Sequence, residues 1–403
     1  MGMAHSTQHP ITCGLVAEVD APPIADVHGW LDGIDVSAVG GLLDVAQAVP
    51  VDPPHASLLA HVAQVLTGQG LHRYTPIRGL PELTKSLAEH MSRAYGGEID
   101  QRDVLITSGC NQAFCSTMRA LVGQGDEVLL PVPYYFNHQM WLDMLGARAV
   151  HVPFMGDSGV PTLEAFSSRV SAATKAIVAV TPNNPTGAVY PQALLEGLYD
   201  LAHAHNIPLV LDETYKDFHP NGQQPHPLFE RSQWRDTLVQ LFSFSKSYSL
   251  AGFRVGSVIA GDWLLDEITK VQDCVSICAA QVSQVAAEFA LTHLADEVES
   301  GANRMAGRVS KLTSAINTGD TGFDIVSAGA WFAYLKHPVT GVDGYLVARR
   351  MARELGVLSV PGSMFGPGQE RYLRFAFANL RDEQIDPLIK RMAAVRTWSA
   401  ADF

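Results

Sequence analysis

Residues 237–254 read TLVQLFSFSKSYSLAGFR. The first six, Thr237 to Phe242, form a short apolar run with the pattern of a buried strand. It delivers Lys246 into a cluster of hydroxyls, Ser243, Ser245 and Ser247, with Arg254 eight residues further on. A lysine in a partly desolvated pocket has its pKa lowered, so a neutral amine becomes accessible near pH 7 and can condense with an aldehyde. A guanidinium fork suits a phosphate dianion, and Ser243 and Ser245 add donors beside it. An aldehyde that carries a phosphate describes pyridoxal 5′-phosphate.

Outward from this stretch the chain alternates short β-branched runs with longer amphipathic ones. Residues 103–107 (DVLIT) predict a strand that leads directly into a helix opening at Ser108-Gly109-Cys110-Asn111 and running toward Leu121. Residues 127–130, 176–180 and 208–211 predict further strands. Pro191 starts a helix with Leu194, Leu198, Leu201 and Ala202 at the helical period. This order predicts an α/β fold, a mostly parallel central sheet flanked by helices. Sites in such sheets lie beyond the carboxyl ends of the strands. From about 284 to 315 the chain predicts a long helix, a bridge to shorter strands at 330–335 and 372–377. The expected organisation is an N-terminal arm contributing to a small α+β domain (1–50), a large cofactor-binding domain (51–290) and the C-terminal small domain (291–403).

Several strand ends meet the cofactor's needs. A helix N-terminus at Ser108-Gly109-Cys110-Asn111 favours an anion, and Gly109 allows close backbone approach. A protonated pyridine nitrogen needs a buried carboxylate, and Asp212 stands at the end of Pro208-Leu209-Val210-Leu211. Tyr215 and Asn184 are candidates to contact the ring's phenolic oxygen. Arg374 alternates with Leu373 and Phe375 in an apolar strand, and a guanidinium there needs an anion. His203 and His205 lack a third ligand at useful spacing, so no metal is expected.

Composition narrows the partners. With 28 basic and 41 acidic residues the formal charge is −13, which argues against nucleic acid or an anionic membrane surface. Five cysteines (13, 110, 115, 274 and 278) without a CxxC pair fit a reduced, cytoplasmic setting. No apolar run approaches membrane-helix length, and no signal peptide is read at the N-terminus.

The segments TPNNPTG (181–187), DETY (212–215) and SFSK (243–246) with Arg254 resemble, in order and spacing, the fold type I pyridoxal-phosphate enzymes. The chain is similar to the class I/II aminotransferase family, in the neighbourhood of aspartate and kynurenine aminotransferases, from about Leu43 to the C-terminus. The resemblance implies that Lys246 is the Schiff-base lysine, which also shuttles a proton between the substrate's α-carbon and the cofactor's C4′. It further implies Asp212 as pyridinium partner, Tyr215 and Asn184 as phenolic-oxygen ligands, and Ser108, Gly109, Cys110, Asn111, Ser243, Ser245 and Arg254 around the phosphate. Tyr135 aligns with the residue stacked on the ring, Arg374 with the clamp on the substrate α-carboxylate, and Tyr74 with a tyrosine reaching the phosphate from the other subunit. A homodimer with shared sites follows, acting on an amino acid and a 2-oxo acid. The same fold also hosts lyases, racemases, decarboxylases and oxidases, which form the alternative reading.

Two positions depart from the family pattern. Ala48 stands where relatives usually have glycine, in a loop (44–50) that passes over the substrate. Residues 273–281 hold no basic residue, whereas dicarboxylate-specific relatives often take a cation from this region. A non-dicarboxylic substrate is therefore expected.

Overall fold

The computed structural model describes residues 14–68, 70–154 and 159–403. Cys13 lies outside the described residues. Thirteen strands occur among those described: β1 (Leu43–Asp44), β2 (Val104–Thr107), β3 (Glu127–Val132), β4 (Arg148–Pro153), β5 (Thr174–Val180), β6 (Leu209–Asp212), β7 (Leu238–Ser243), β8 (Gly256–Ile259), β9 (Asp324–Gly329), β10 (Phe332–Lys336), β11 (Val357–Leu358), β12 (Val360–Pro361) and β13 (Tyr372–Phe375).

Seven of them form one sheet in the order β2-β8-β7-β6-β5-β3-β4, parallel throughout except for β8, which runs antiparallel to both neighbours. The alternation along its strands divides the core in two. Ile106, Leu129, Ile177, Leu209, Leu211 and Phe242 enter one cluster with the helices Pro81–Tyr95, Gln192–Ala204 and Gln281–His293. Leu105, Leu130, Val178, Val210, Leu241 and Val258 enter the other with Cys110–Leu121 and Asp262–Ser276. Burial on both faces explains why these strands read as continuous apolar runs.

The smaller sheet is antiparallel, in the order β12-β13-β10-β9. Beside it β1 pairs in parallel with β11, which brings Val27, Trp30, Val45 and Ala46 from the N-terminal part into the same core as Phe332, Leu373 and Phe375.

Local differences from the expectations have physical causes. The single helix expected over 284–315 is two, Gln281–His293 and Ala295–Thr318, broken at Leu294, whose backbone (φ −119°, ψ 29°) leaves the helical region. The strand expected from 330 starts at Phe332, because Ala330 takes a left-handed φ of 45° in the turn from β9. Phe377 lies beyond β13 in a short 3-10 turn. In the helix Gln192–Ala204 the buried stripe is Leu195, Leu198, Tyr199 and Ala202, with Leu194 and Leu201 flanking it. His203, exposed near the end of that helix, hydrogen-bonds Thr237 at 2.9 Å and stacks on Tyr199. Among the described residues, no helix is long and apolar enough to cross a membrane.

Candidate active site

A cavity of about 500 Å³ opens beyond the carboxyl ends of β5, β6 and β7. Twelve of the residues singled out from sequence line it: Ala48, Cys110, Asn111, Tyr135, Asn184, Asp212, Tyr215, Ser243, Ser245, Lys246, Arg254 and Arg374. Ser108 and Gly109 stand just outside this lining, in the turn before the helix that Cys110 begins. Tyr74 lies elsewhere and is 78% exposed. None of residues 273–281 lines the cavity of this chain.

β7 ends at Ser243, whose hydroxyl accepts the Ser245 N–H at 3.2 Å and so caps the four-residue helix Phe244–Ser247. That turn presents Lys246. Its Nζ donates to the Ala48 carbonyl at 2.5 Å and lies 5.1 Å above the Trp331 ring. Burial, together with the charges of Arg254 and Arg374, lowers the Lys246 pKa to about 7.

Arg254 follows in a left-handed conformation, φ 51°, and its Nη1 donates to the Ala251 carbonyl at 3.0 Å. It makes no ion pair with a carboxylate among the described residues. A Cβ on Gly109 would fall 2.3 Å from the Arg254 Nη2, so glycine is what lets the guanidinium reach the N-terminus of the helix Cys110–Leu121.

Asp212 sits at the last position of β6 and is buried. Burial pushes its carboxyl upward, but the hydrogen bond and charge of His138 and the hydroxyl and N–H of Thr214 outweigh it and hold the pKa below the ordinary value. His138 Nε2 lies 3.3 Å from Asp212 Oδ2, and the Thr214 N–H donates to Oδ1 at 3.0 Å. The imidazole is stacked on Phe114 at 3.8 Å. Sequence reading missed His138. Its spacing, three residues after the N-cap Tyr135 and four before the buried Leu142, marks a shared helix face but names no partner for it.

The turn after β5 is internally bonded: Asn183 Oδ1 accepts the Thr186 N–H at 3.1 Å and its hydroxyl at 2.9 Å. Gly187 ends it at φ 72°, where a Cβ would meet the Gly329 backbone and the Phe332 carbonyl within 2.6 Å. The turn is thereby pressed against the small sheet, and Asn184 reaches Arg374. Arg374 Nη1 donates to Asn184 Oδ1 at 3.1 Å, and Nη2 donates to the Ala46 carbonyl. Arg374 is 2% exposed, and its guanidinium lies 5.1 Å from the Phe332 ring centre and 5.0 Å from Phe365 and has a buried Nε without a partner. No carboxylate among the described residues pairs with it, and burial lowers its pKa to about 10.

Tyr215 packs edge-on against Phe332 at 5.2 Å, and Tyr135 approaches Asn111 Oδ1 through its hydroxyl at 3.4 Å. The cavity thus combines an amine with a pKa of about 7, a buried ionised carboxylate, and two guanidinium groups without carboxylate partners. This is the constellation of a fold type I pyridoxal-phosphate enzyme, and the residues present fit that group.

Comparison with known proteins agrees. A model of the family "Aminotransferase class I and II" matches residues 44–392. The chain is 30% identical to an aromatic aminotransferase of Arabidopsis thaliana, ISS1, with 88% of each chain covered. It is 27% identical to an aspartate aminotransferase of Pyrococcus abyssi, over 91% of this chain and 97% of that one. The solved aspartate aminotransferase of Thermus thermophilus superposes with a TM-score of 0.87 at 25% identity, covering 95% of this chain and 99% of the other. The chain belongs to the class I and II aminotransferase family. It is a pyridoxal 5′-phosphate-dependent aminotransferase, and its substrates are an amino acid and a 2-oxo acid.

Proposed function

We propose that the enzyme transfers the amino group of an L-amino acid with a non-dicarboxylic side chain to a 2-oxo acid, working in the cytoplasm as a homodimer with shared sites. The observation that carries this reading is the pairing, in one cavity, of Lys246 with the buried, carboxylate-free guanidinium of Arg374. A cation sealed from water demands an anion of matching shape, and a carboxylate fits it with two parallel hydrogen bonds.

In this reading Lys246 Nζ holds the cofactor covalently and later takes up the proton from the substrate's α-carbon. When bound, pyridoxal phosphate supplies an electron sink for that carbon. Asp212, kept ionised by His138, holds a proton on the pyridine nitrogen. Tyr215 and Asn184 would hold the phenolic oxygen, and Tyr135 would pack on the ring. Ser108, Gly109, Cys110, Asn111, Ser243, Ser245 and Arg254 bind the phosphate, where free N–H groups and cation act together. Arg374, with Asn184, orients the substrate carboxylate.

The exposure of Tyr74, together with that of Leu59, Leu66 and Val275, supports a dimer in which Tyr74 serves the other subunit's phosphate. The absence of a basic residue from 273–281 favours an uncharged substrate side chain. We also propose that residues 51–290 form the cofactor domain and that 1–50 join 291–403 in the smaller one.

The test is a single-turnover experiment on the cofactor-loaded enzyme across proteinogenic and common non-proteinogenic amino acids. An amino donor shifts the visible absorbance of the cofactor, a 2-oxo acid reverses it, and chromatography finds the new amino acid. Ammonia or an alkene in place of amino transfer would sink the reading. Light scattering and a faster cofactor loss from Tyr74→Phe test the shared dimer.

A further inference from the structure

Between β1 and Pro50 the chain runs without helix or strand and lines the cavity with Gln47, Ala48 and Val49, yet many of its backbone groups find partners. The Val45 N–H donates to the Leu358 carbonyl at 2.9 Å, and the Val45 carbonyl accepts the Ala376 N–H at 2.7 Å. The Ala46 N–H donates to Asp44 Oδ1 at 2.9 Å, and the Ala46 carbonyl accepts from Arg374. The Ala48 carbonyl accepts from Lys246, and three further groups are the carbonyls of Asp44 and Gln47 and the N–H of Val49. All three go to one side chain. Asn379 Nδ2 donates to Gln47 and, at 3.3 Å, to Asp44, while its Oδ1 accepts the Val49 N–H at 2.9 Å.

An amide is the side chain that both donates twice and accepts in so short a reach. Asn379 therefore does for residues 44–49 what a neighbouring strand would do. It stands five residues beyond Arg374 on the same run of chain, and the segment it holds touches Arg374 through Ala46. Wall and cation are bonded to each other, so slack in one moves the other.

We propose that Asn379 is a positioning residue that determines substrate fit, by fixing residues 47–49 as a wall of the cavity that also holds the carboxylate-binding Arg374. The inference rests on reading this cavity as the amino-acid site.

The experiment compares cofactor-loaded wild type with Asn379→Ala and the nearly isosteric Asn379→Asp. Aspartate still accepts the Val49 N–H but turns an oxygen toward the Asp44 and Gln47 carbonyls. Both variants are expected to raise KM for amino donors roughly tenfold, with kcat within about threefold and the cofactor spectrum unchanged. Hydrogen exchange at the Val49 amide accelerates in Asn379→Ala and stays slow in Asn379→Asp. If the alanine variant fails to fold, the aspartate variant carries the test. Aspartate matching wild type, or a fall in kcat at unchanged KM, overturns the proposal. Wild type inert toward every amino acid removes the site reading and this inference together; active wild type with unchanged variants removes the inference alone.

Discussion

Asp212 and Glu213 are consecutive carboxylates at the same strand end, both buried, and they do opposite things. Asp212 faces the cavity, with His138 behind it. Glu213 faces the other side of the sheet, where its Oε2 accepts from Tyr95 at 2.8 Å and from Gln240 at 2.7 Å and lies 3.2 Å from His226 Nε2. His226 Nδ1 accepts the Leu228 N–H, so its Nε2 is the nitrogen that carries the proton. One residue of register thus separates a carboxylate that lines the cavity from one that ties the helix Pro81–Tyr95 to the sheet. Burial alone does not distinguish them; what each faces does.

The comparison breaks first at Lys246, which lines the same cavity as Asp212. Lys246→Ala is expected to lower turnover by at least about a thousandfold. It should also abolish borohydride trapping of the cofactor, read by peptide mapping. An active Lys246→Ala enzyme would leave the whole assignment without a base.

The pair itself is next. Asp212→Asn is expected to lower kcat by roughly a hundredfold or more while leaving the unfolding midpoint nearly unchanged. Glu213→Gln should do the reverse, holding kcat within about threefold and costing about 1–3 kcal/mol of stability in a denaturant titration. Burial raises the Glu213 pKa, but His226, Gln240 and Tyr95 hold it below the ordinary value. The stability linked to it is complete above the ordinary glutamate range and is lost as pH falls through the depressed value. Glu213→Gln should therefore flatten the acid limb of a stability-against-pH profile, and an unchanged limb would contradict the structural role.

Arg374→Met sharpens the contrast between the two guanidiniums. It should raise KM for amino acids about 10- to 100-fold with cofactor retained, because hydrogen bonds to a charged group are lost where water cannot replace them. Arg254→Gln should instead weaken cofactor retention, measured by dialysis.

The smallest effect is one of pH. Recombination of apoenzyme with pyridoxal phosphate should quicken as pH rises through about 7 and level off above it, as Lys246 loses its proton. In Arg254→Gln a neighbouring positive charge is gone, the amine keeps its proton to higher pH, and the midpoint moves upward. A downward movement would contradict the electrostatic account.

Most of the residues that line the cavity were legible from the sequence alone. Lys246 after an apolar run, Asp212 at a strand end and the TPNNPTG turn announce themselves because strand periodicity and turn residues are encoded by near neighbours. Three matters were settled only in three dimensions. His138 reaches Asp212 across 74 residues, as the gap in their numbers shows, and no local pattern carries that contact. Arg374 was visible as a cation in a strand, but that no carboxylate answers it depends on everything packed around it. Asn379 resembles any loop asparagine until a segment 330 residues away is laid along it. Periodicity fixes which face a side chain takes; which partner waits on that face is a property of chain closure, because burial brings distant segments together and hydrogen-bond geometry selects among them.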